Sequence, residues 1–186
     1  MKNQLIISVL SALLAMYALP TLAEETTQAA SLKEAITEGK ATINFKLRYE
    51  NVNQEGKSDT GEAFTLRSLV GWKTKPFHGV SVNAELYGLS PLNDDYNDLK
   101  KGNPIPSRVK YPVIADPEDY DFHQLYLEWT GLPKSTLKLG RQAMVFDNWR
   151  YIGDVRFRQN WQVFNGLSFV NKSLPNTEVT LAHYEQ

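Results

Sequence analysis

From residue 41 onward the chain alternates between apolar and polar positions. In ATINFKLRYENV, Ile43, Phe45, Leu47 and Tyr49 point one way while Asn44, Lys46, Arg48 and Glu50 point the other. That period of two belongs to a β-strand with one apolar and one charged face. FTLRSLVGWK sets Leu66, Val70 and Trp72 against Arg67 and Lys73, and GVSVNAELY sets Val80, Val82, Ala84 and Leu86 against Ser81, Asn83, Glu85 and Tyr87. Leu125, Leu127 and Trp129 then oppose Gln124, Tyr126 and Glu128, and Leu137 and Leu139 flank Lys138. GLSFV, with Leu167 and Phe169, and EVTLAHY, with Val179 and Leu181, complete a set of seven predicted strands.

The strands are joined unequally. Short turns are expected at residues 74–79, 131–135 and 172–176, and long polar loops at 53–63, 88–121 and 147–160, so that every long loop falls on one side. Two of the turns share a phrase, TGLPKSTLKLGRQ and NKSLPNTEVTLAHY, in which a Leu-Pro pair and small turn-formers precede an alternating run. Proline fixes φ, so each phrase reads as a reused hairpin connection. A soluble sandwich produces the same dyad pattern. Short turns at one end and long loops at the other match an antiparallel up-and-down transmembrane β-barrel, and Trp72 and Trp129, on the apolar face just before short turns, sit where an interfacial aromatic girdle belongs.

The N-terminal residues place this all-β unit in a compartment. Lys2 precedes the apolar run LIISVLSALLAMYAL, and Thr21-Leu22-Ala23 supplies the small residues of a cleavage site, so residues 1–23 read as a secretory signal peptide rather than a retained anchor. Residues 24–40 read as a short helical leader: Ser31 and Glu34 form a capping-box pair, Leu32, Ala35 and Ile36 share a face, and Gly39 is a stop. It is expected to cover the rim of the barrel, with a periplasmic plug or partner helix as the functional alternative. Export without a single cysteine fits a bacterial envelope protein. With Lys2 removed from the 20 basic residues, the balance against 21 acidic ones is slightly negative, which argues against a nucleic-acid partner. A mean hydropathy of −0.39 excludes a bundle of membrane helices and is normal for a barrel with a wet lumen.

Taken in order, LRYENV, TLRSLVGWKT, FHGVSV, YPVIADPE, HQLYLEWTGLPKSTLKLGRQ and RQNWQVFNGLS resemble the N-terminal part of the alginate-export-like family of Gram-negative outer-membrane barrels. The resemblance runs from about Ile43 to Tyr184. It implies a monomeric β-barrel with a porin-like pore in the outer membrane, bearing on lipid and on the barrel assembly machinery, and passing an anionic polysaccharide or small anionic or sugar solutes. Residues 41–186 then supply about seven strands of a larger barrel, an odd number that leaves it incomplete, with the last strand interrupted at His183-Tyr184-Glu185-Gln186.

The remaining chemistry concerns what would line a pore. Lys46, Arg48 and Arg67 point to the polar side, as does Glu85. Arg141 joins them if Gly140 forms a bulge, since strict alternation puts Arg141 on the face of Leu139. Arg150, Arg156 and Arg158 crowd the following loop. Two uses are open for this set: a ladder of carboxylate sites for a passing anion, or pairing with acids such as Glu50, Glu85 and Glu128 that stiffens the wall. The acids Asp94, Asp95, Asp98, Asp116, Glu118, Asp119 and Asp121 offer enough oxygens for calcium, but their spacing matches no EF-hand, and a solvated external loop, with YPVIADPE as a lid or constriction, is expected instead. His78, His123 and His183 have no serine or acidic partners at catalytic spacing, so neither enzyme activity nor a cofactor or metal is expected. A soluble periplasmic carbohydrate-binding β-sandwich, with Trp149, Trp161 and Tyr151 as stacking platforms, is the alternative function.

Overall fold

Seven strands follow one another across a single antiparallel sheet, each hydrogen-bonded to its neighbours in sequence. The computed structural model describes residues 28–99, 108–146 and 149–185, so the expected signal peptide lies outside the described residues. The strands are β1 (Lys40–Val52), β2 (Gly61–Lys73), β3 (Val80–Pro91), β4 (Asp119–Trp129), β5 (Ser135–Gln142), β6 (Phe164–Asn171) and β7 (Val179–Glu185). Among the described residues the α-helix is α1 (Leu32–Thr37). The chain is thus all-β and up-and-down, and the sheet is open, with β1 and β7 at opposite edges.

Alternation in the sequence becomes two unlike faces because facing residues in a ladder share a side. One row runs Val80, Trp129, Leu137, Phe169, Leu181 across β3 to β7, and a second runs Val82, Leu127, Leu139, Leu167. A third joins Ile43, Val70, Leu86 and Phe122. These side chains lie on the surface: Ile43 is 64% exposed, Leu139 55% and Leu181 63%. The opposite face holds the buried residues, among them Thr65, Arg67, Ser81, Asn83 and His123. A soluble sheet does the reverse, since burying apolar area is the main favourable term in folding.

The short-turn end is regular. In both Leu-Pro turns the residue after proline has positive φ, 51° at Lys134 and 52° at Asn176. The amides of Ser135 and Thr177 donate to the carbonyls of Leu132 and Leu174, at 3.2 and 3.4 Å. Their hydroxyls donate to the carbonyls of Pro133 and Pro175, each at 3.1 Å. Proline second and a left-handed residue third is the type II turn, so the repeated phrase is one turn built twice. α1 covers this end: the Ser31 hydroxyl accepts from the Glu34 amide, the Trp72 indole donates to the Ile36 carbonyl, and Lys75 pairs with Glu34 and Glu38. Ala35 is buried while Leu32 and Ile36 stay exposed. The leader thus packs against the short-turn end of the sheet.

The long connections occupy residues 53–60, 92–118 and 143–163, all at the other end, and the strands enter them further than alternation alone predicts. The β3–β4 connection is not the solvated loop expected of its composition. Tyr96 and Ile114 are fully buried and pack with Ala63 and Val52, while Asp98 and Asp116 are buried acids. Local polarity misleads here because the acids are matched by basic residues, Asp98 by Arg108 within the connection and Asp116 by Arg48 of β1.

Candidate functional site

Two connections fold back over the polar face and meet β1 there. Asp116, on the β3–β4 connection, accepts from Arg48 of β1 at 2.9 Å and from the Gln159 amide at 2.8 Å, and Arg158 stands 3.8 Å away. Glu50, two residues beyond Arg48, receives both Arg48 at 2.5 Å and Arg158 at 3.2 Å. Two arginines and two carboxylates, from one strand and two loops, thus form one partly buried quartet. A buried ion pair gains little net stability over an apolar contact but is costly to break, so the quartet fixes where the loops lie.

The β5–β6 connection is stitched down over residues 154–161. Lys46 donates to the carbonyls of Arg156 and Arg158, and Arg48 to that of Phe157. The fully buried Gln159 donates to the Lys46 carbonyl and to the hydroxyl and carbonyl of Thr65. Arg156 forks onto the buried Asp154, with contacts of 2.6 to 3.0 Å. A guanidinium held by two bonds to one carboxylate is geometrically fixed, and Trp149 covers it at 4.6 Å.

Deeper on the same face, Arg67 is only 1% exposed and lies 3.7 Å beneath the Trp161 ring, with Tyr87 5.9 Å away. None of its three guanidinium nitrogens has a hydrogen-bond partner. Stacking on a desolvated indole is worth about 2 kcal/mol, whereas each unmet buried donor costs roughly 1–3 kcal/mol, so the contact does not offset the loss. Beside it, β4 carries one extra residue at the register shift opposite Glu85 and Leu86, and this bulge turns both His123 and Gln124 toward Glu85 at 3.0 Å each. His123 also meets the Trp161 ring edge-on, and its Nε2 is buried without a partner.

Of the residues singled out from sequence, Lys46, Arg48, Arg156 and Arg158 come together, and Arg67 and Glu85 lie deeper on the same face. Arg141 gets there differently from the expected bulge. The register through Gly140 is continuous and pairs Arg141 with Leu125, while Gly140 takes φ of 129° with its Cα so close to β4 that a Cβ would stand 2.4 Å from the Leu125 carbonyl. The Arg141 guanidinium bonds Asp121 at 2.7 Å. Arg150 lies in an exposed stretch of the β5–β6 connection. Glu128 takes Lys73 and Lys138, so pairing rather than an open ladder describes most of these charges. The sequence does not mark Asp116, Asp154 and Gln159 as members of the site: the partners of Asp116 and Gln159 are far away in sequence, and Asp154, although its partner Arg156 is two residues away, lies in a loop whose burial no local pattern signals. Among the described residues no cluster of three acidic or histidine side chains is arranged to hold a metal. Comparison with family models, with curated proteins and with solved structures finds no match for this chain.

Proposed function

We propose that this chain is a section of a porin-like outer-membrane β-barrel whose polar face borders a solute path, narrowed by the β5–β6 connection and suited to anionic sugars or an anionic polysaccharide. The observation that carries the reading is the inversion of the sheet: a continuous exposed apolar band backs a face of buried arginine, carboxylate and amide groups. A lipid-facing wall with a wet lumen has that polarity. Trp72 and Trp129 at the short-turn end, the long connections gathered at the other, and the resemblance to the alginate-export-like family agree with it. Closure into a cylinder requires strands beyond β1 and β7, both of which offer free edges. The outer membrane of a Gram-negative cell is the corresponding location, and neither catalysis nor nucleic acid enters this reading. The alternative, a carbohydrate-binding sandwich with Trp149, Trp161 and Tyr151 as platforms, calls for a second sheet over the apolar face; the seven described strands form one sheet, and of the three platforms Trp161 is covered by Arg67 while Trp149 and Tyr151 are exposed.

The test is insertion. Leu47→Arg and Val82→Arg place a cation on the apolar face and should each weaken folding into phospholipid vesicles by about 2–4 kcal/mol near the midplane. Asn44→Arg puts the same group on the same strand as Leu47 but on the polar side, and should insert normally. Urea titration of vesicle-bound protein measures all three, and equal behaviour would overturn the membrane reading.

A further inference from the structure

We propose that α1 is a lipid-interface anchor, whose Leu32 and Ile36 enter the bilayer at the headgroup boundary of the leaflet on the short-turn side. The helix carries two unlike flanks on either side of its buried residue, Ala35. At 3.6 residues per turn, Glu34 and the C-capping Glu38 fall on one flank and Leu32 and Ile36 on the other. The acidic flank is clamped, since Glu34 and Glu38 reach Lys75 at 2.6 and 3.1 Å. The apolar flank is open, with Leu32 64% exposed and Ile36 53%.

What the open flank meets follows from the side of the sheet to which α1 is tied. Trp72 stands on the apolar face, in register with Ala41 and Ala84, and its indole donates to the Ile36 carbonyl at 3.0 Å. The chain leaves the helix directly against the same ring, where a Cβ on Gly39 would stand 2.5 Å from the indole nitrogen. The indole therefore fastens the C-terminal end of α1 to the apolar band, whose apolar surface Leu32 and Ile36 prolong. Lys33 is exposed beside them, and its long stem lets the ammonium reach phosphate while the neighbouring side chains stay in hydrocarbon. An indole at the boundary, an apolar flank and an adjacent cation are the parts of a helix lying in the plane of a membrane interface. Two side chains do not hold a protein on a bilayer; the sheet supplies the affinity, and α1 sets the depth of its short-turn end. The inference rests on the apolar face meeting lipid, and it assigns a lipid contact to a segment outside the sheet.

The chain has no cysteine, so a single one can carry an environment-sensitive fluorophore in Leu32→Cys, Ile36→Cys, Thr37→Cys and Leu47→Cys, all at exposed positions. Each full-length variant is folded into phospholipid vesicles, checked by circular dichroism, and quenched in turn by phospholipid bearing a nitroxide near the headgroup, by phospholipid bearing one deep in the acyl chain, and by iodide on both sides of the bilayer. At positions 32 and 36 the shallow nitroxide should quench more strongly than iodide. At position 37, which the helix turns away from Ala35, the order should reverse. The label at position 47, midway along β1, should answer to the deep nitroxide. Iodide prevailing at positions 32 and 36 while position 47 still answers to the deep nitroxide would overturn the anchor and leave the membrane reading standing. Protection of both α1 labels from all three quenchers would also overturn it, since a protein would then cover the flank. A label at position 47 that answers to iodide instead would remove the membrane reading, and the anchor with it.

Discussion

The two ends of the sheet are built on different principles. At the short-turn end, structure is local: Leu132 to Ser135 and Leu174 to Thr177 close the same turn with the same bonds, and α1 is capped by a residue three positions away. At the long-loop end, almost every determining contact is distant, from Arg48 to Asp116, Glu50 to Arg158, and Thr65 to Gln159. Turn chemistry acts within a few residues, whereas a buried charge accepts any partner that the fold delivers. The loop-covered polar face therefore owes its shape to the distant contacts, and the scaffold under it to the local ones.

The sharpest way to break this comparison is to remove Asp116. It is the acid shared by Arg48, Arg158 and the Gln159 amide, and its side chain is 1% exposed. Asp116→Ala leaves buried cations without their carboxylate and should cost about 3–5 kcal/mol. The loss should be confined to one end: trypsin should cut faster at Arg150, Arg156 and Arg158, with cleavage at Lys134 and Lys172 unchanged. Equal acceleration at both ends would mean that the ends are not independent.

This division also explains what was legible in the sequence. All seven strands and their consecutive order follow from alternation, because the period of a strand is a property of neighbouring residues; so do the turns and the cap at Ser31. Strand ends near the loops were set short, since β3 and β4 pair on beyond the alternating segments, through Leu89 and Asp119. The polar direction of Lys46, Arg48, Arg67 and Glu85 was readable from register, but their partners were not. Nothing around Asp116 distinguishes it from Asp94 or Asp95, which remain exposed, until the connection is seen lying across β1. The bulge at His123 was hidden for a related reason: two adjacent residues facing one way look, in a linear pattern, like the start of a strand.

A milder change sharpens the comparison from the turn side. Lys134 and Asn176 occupy the same left-handed position, and asparagine tolerates it better than lysine because a short polar side chain bonds locally. Lys134→Gly removes the Cβ penalty and should raise stability by about 1 kcal/mol, with Lys134→Asn giving part of that gain. Asn176→Ala should lower it by a similar amount. Denaturant midpoints measure these shifts, and trypsin cleavage at the loop end should not respond. A loss of stability in Lys134→Gly would mean that the lysine side chain itself contributes to the turn.

The smallest effect expected is the release of α1 by acid. The hydrogen bond from Lys75, aided by the Ala30 amide, holds the Glu34 carboxyl below the ordinary carboxylate range, and the same pairing, with Glu38 added, holds Lys75 above its ordinary value. A depressed carboxyl contributes stability at pH above its unfolded value and loses that contribution as pH falls through its folded one; a raised amine loses its contribution only in strong alkali. The docking of α1 should therefore be intact at neutral pH and fade below about pH 4.5. Both groups are solvent-accessible, so salt should weaken the clamp as acid does. The Trp72 indole, which donates to the Ile36 carbonyl at 3.0 Å, reports the event through its emission. A pH-dependent shift in the parent chain that disappears in Glu34→Gln is the expected result. If the shift persists unchanged in Glu34→Gln, α1 is held by Ala35 and the backbone bond from Lys75 to its carbonyl, and charge has no part in seating the helix on the rim.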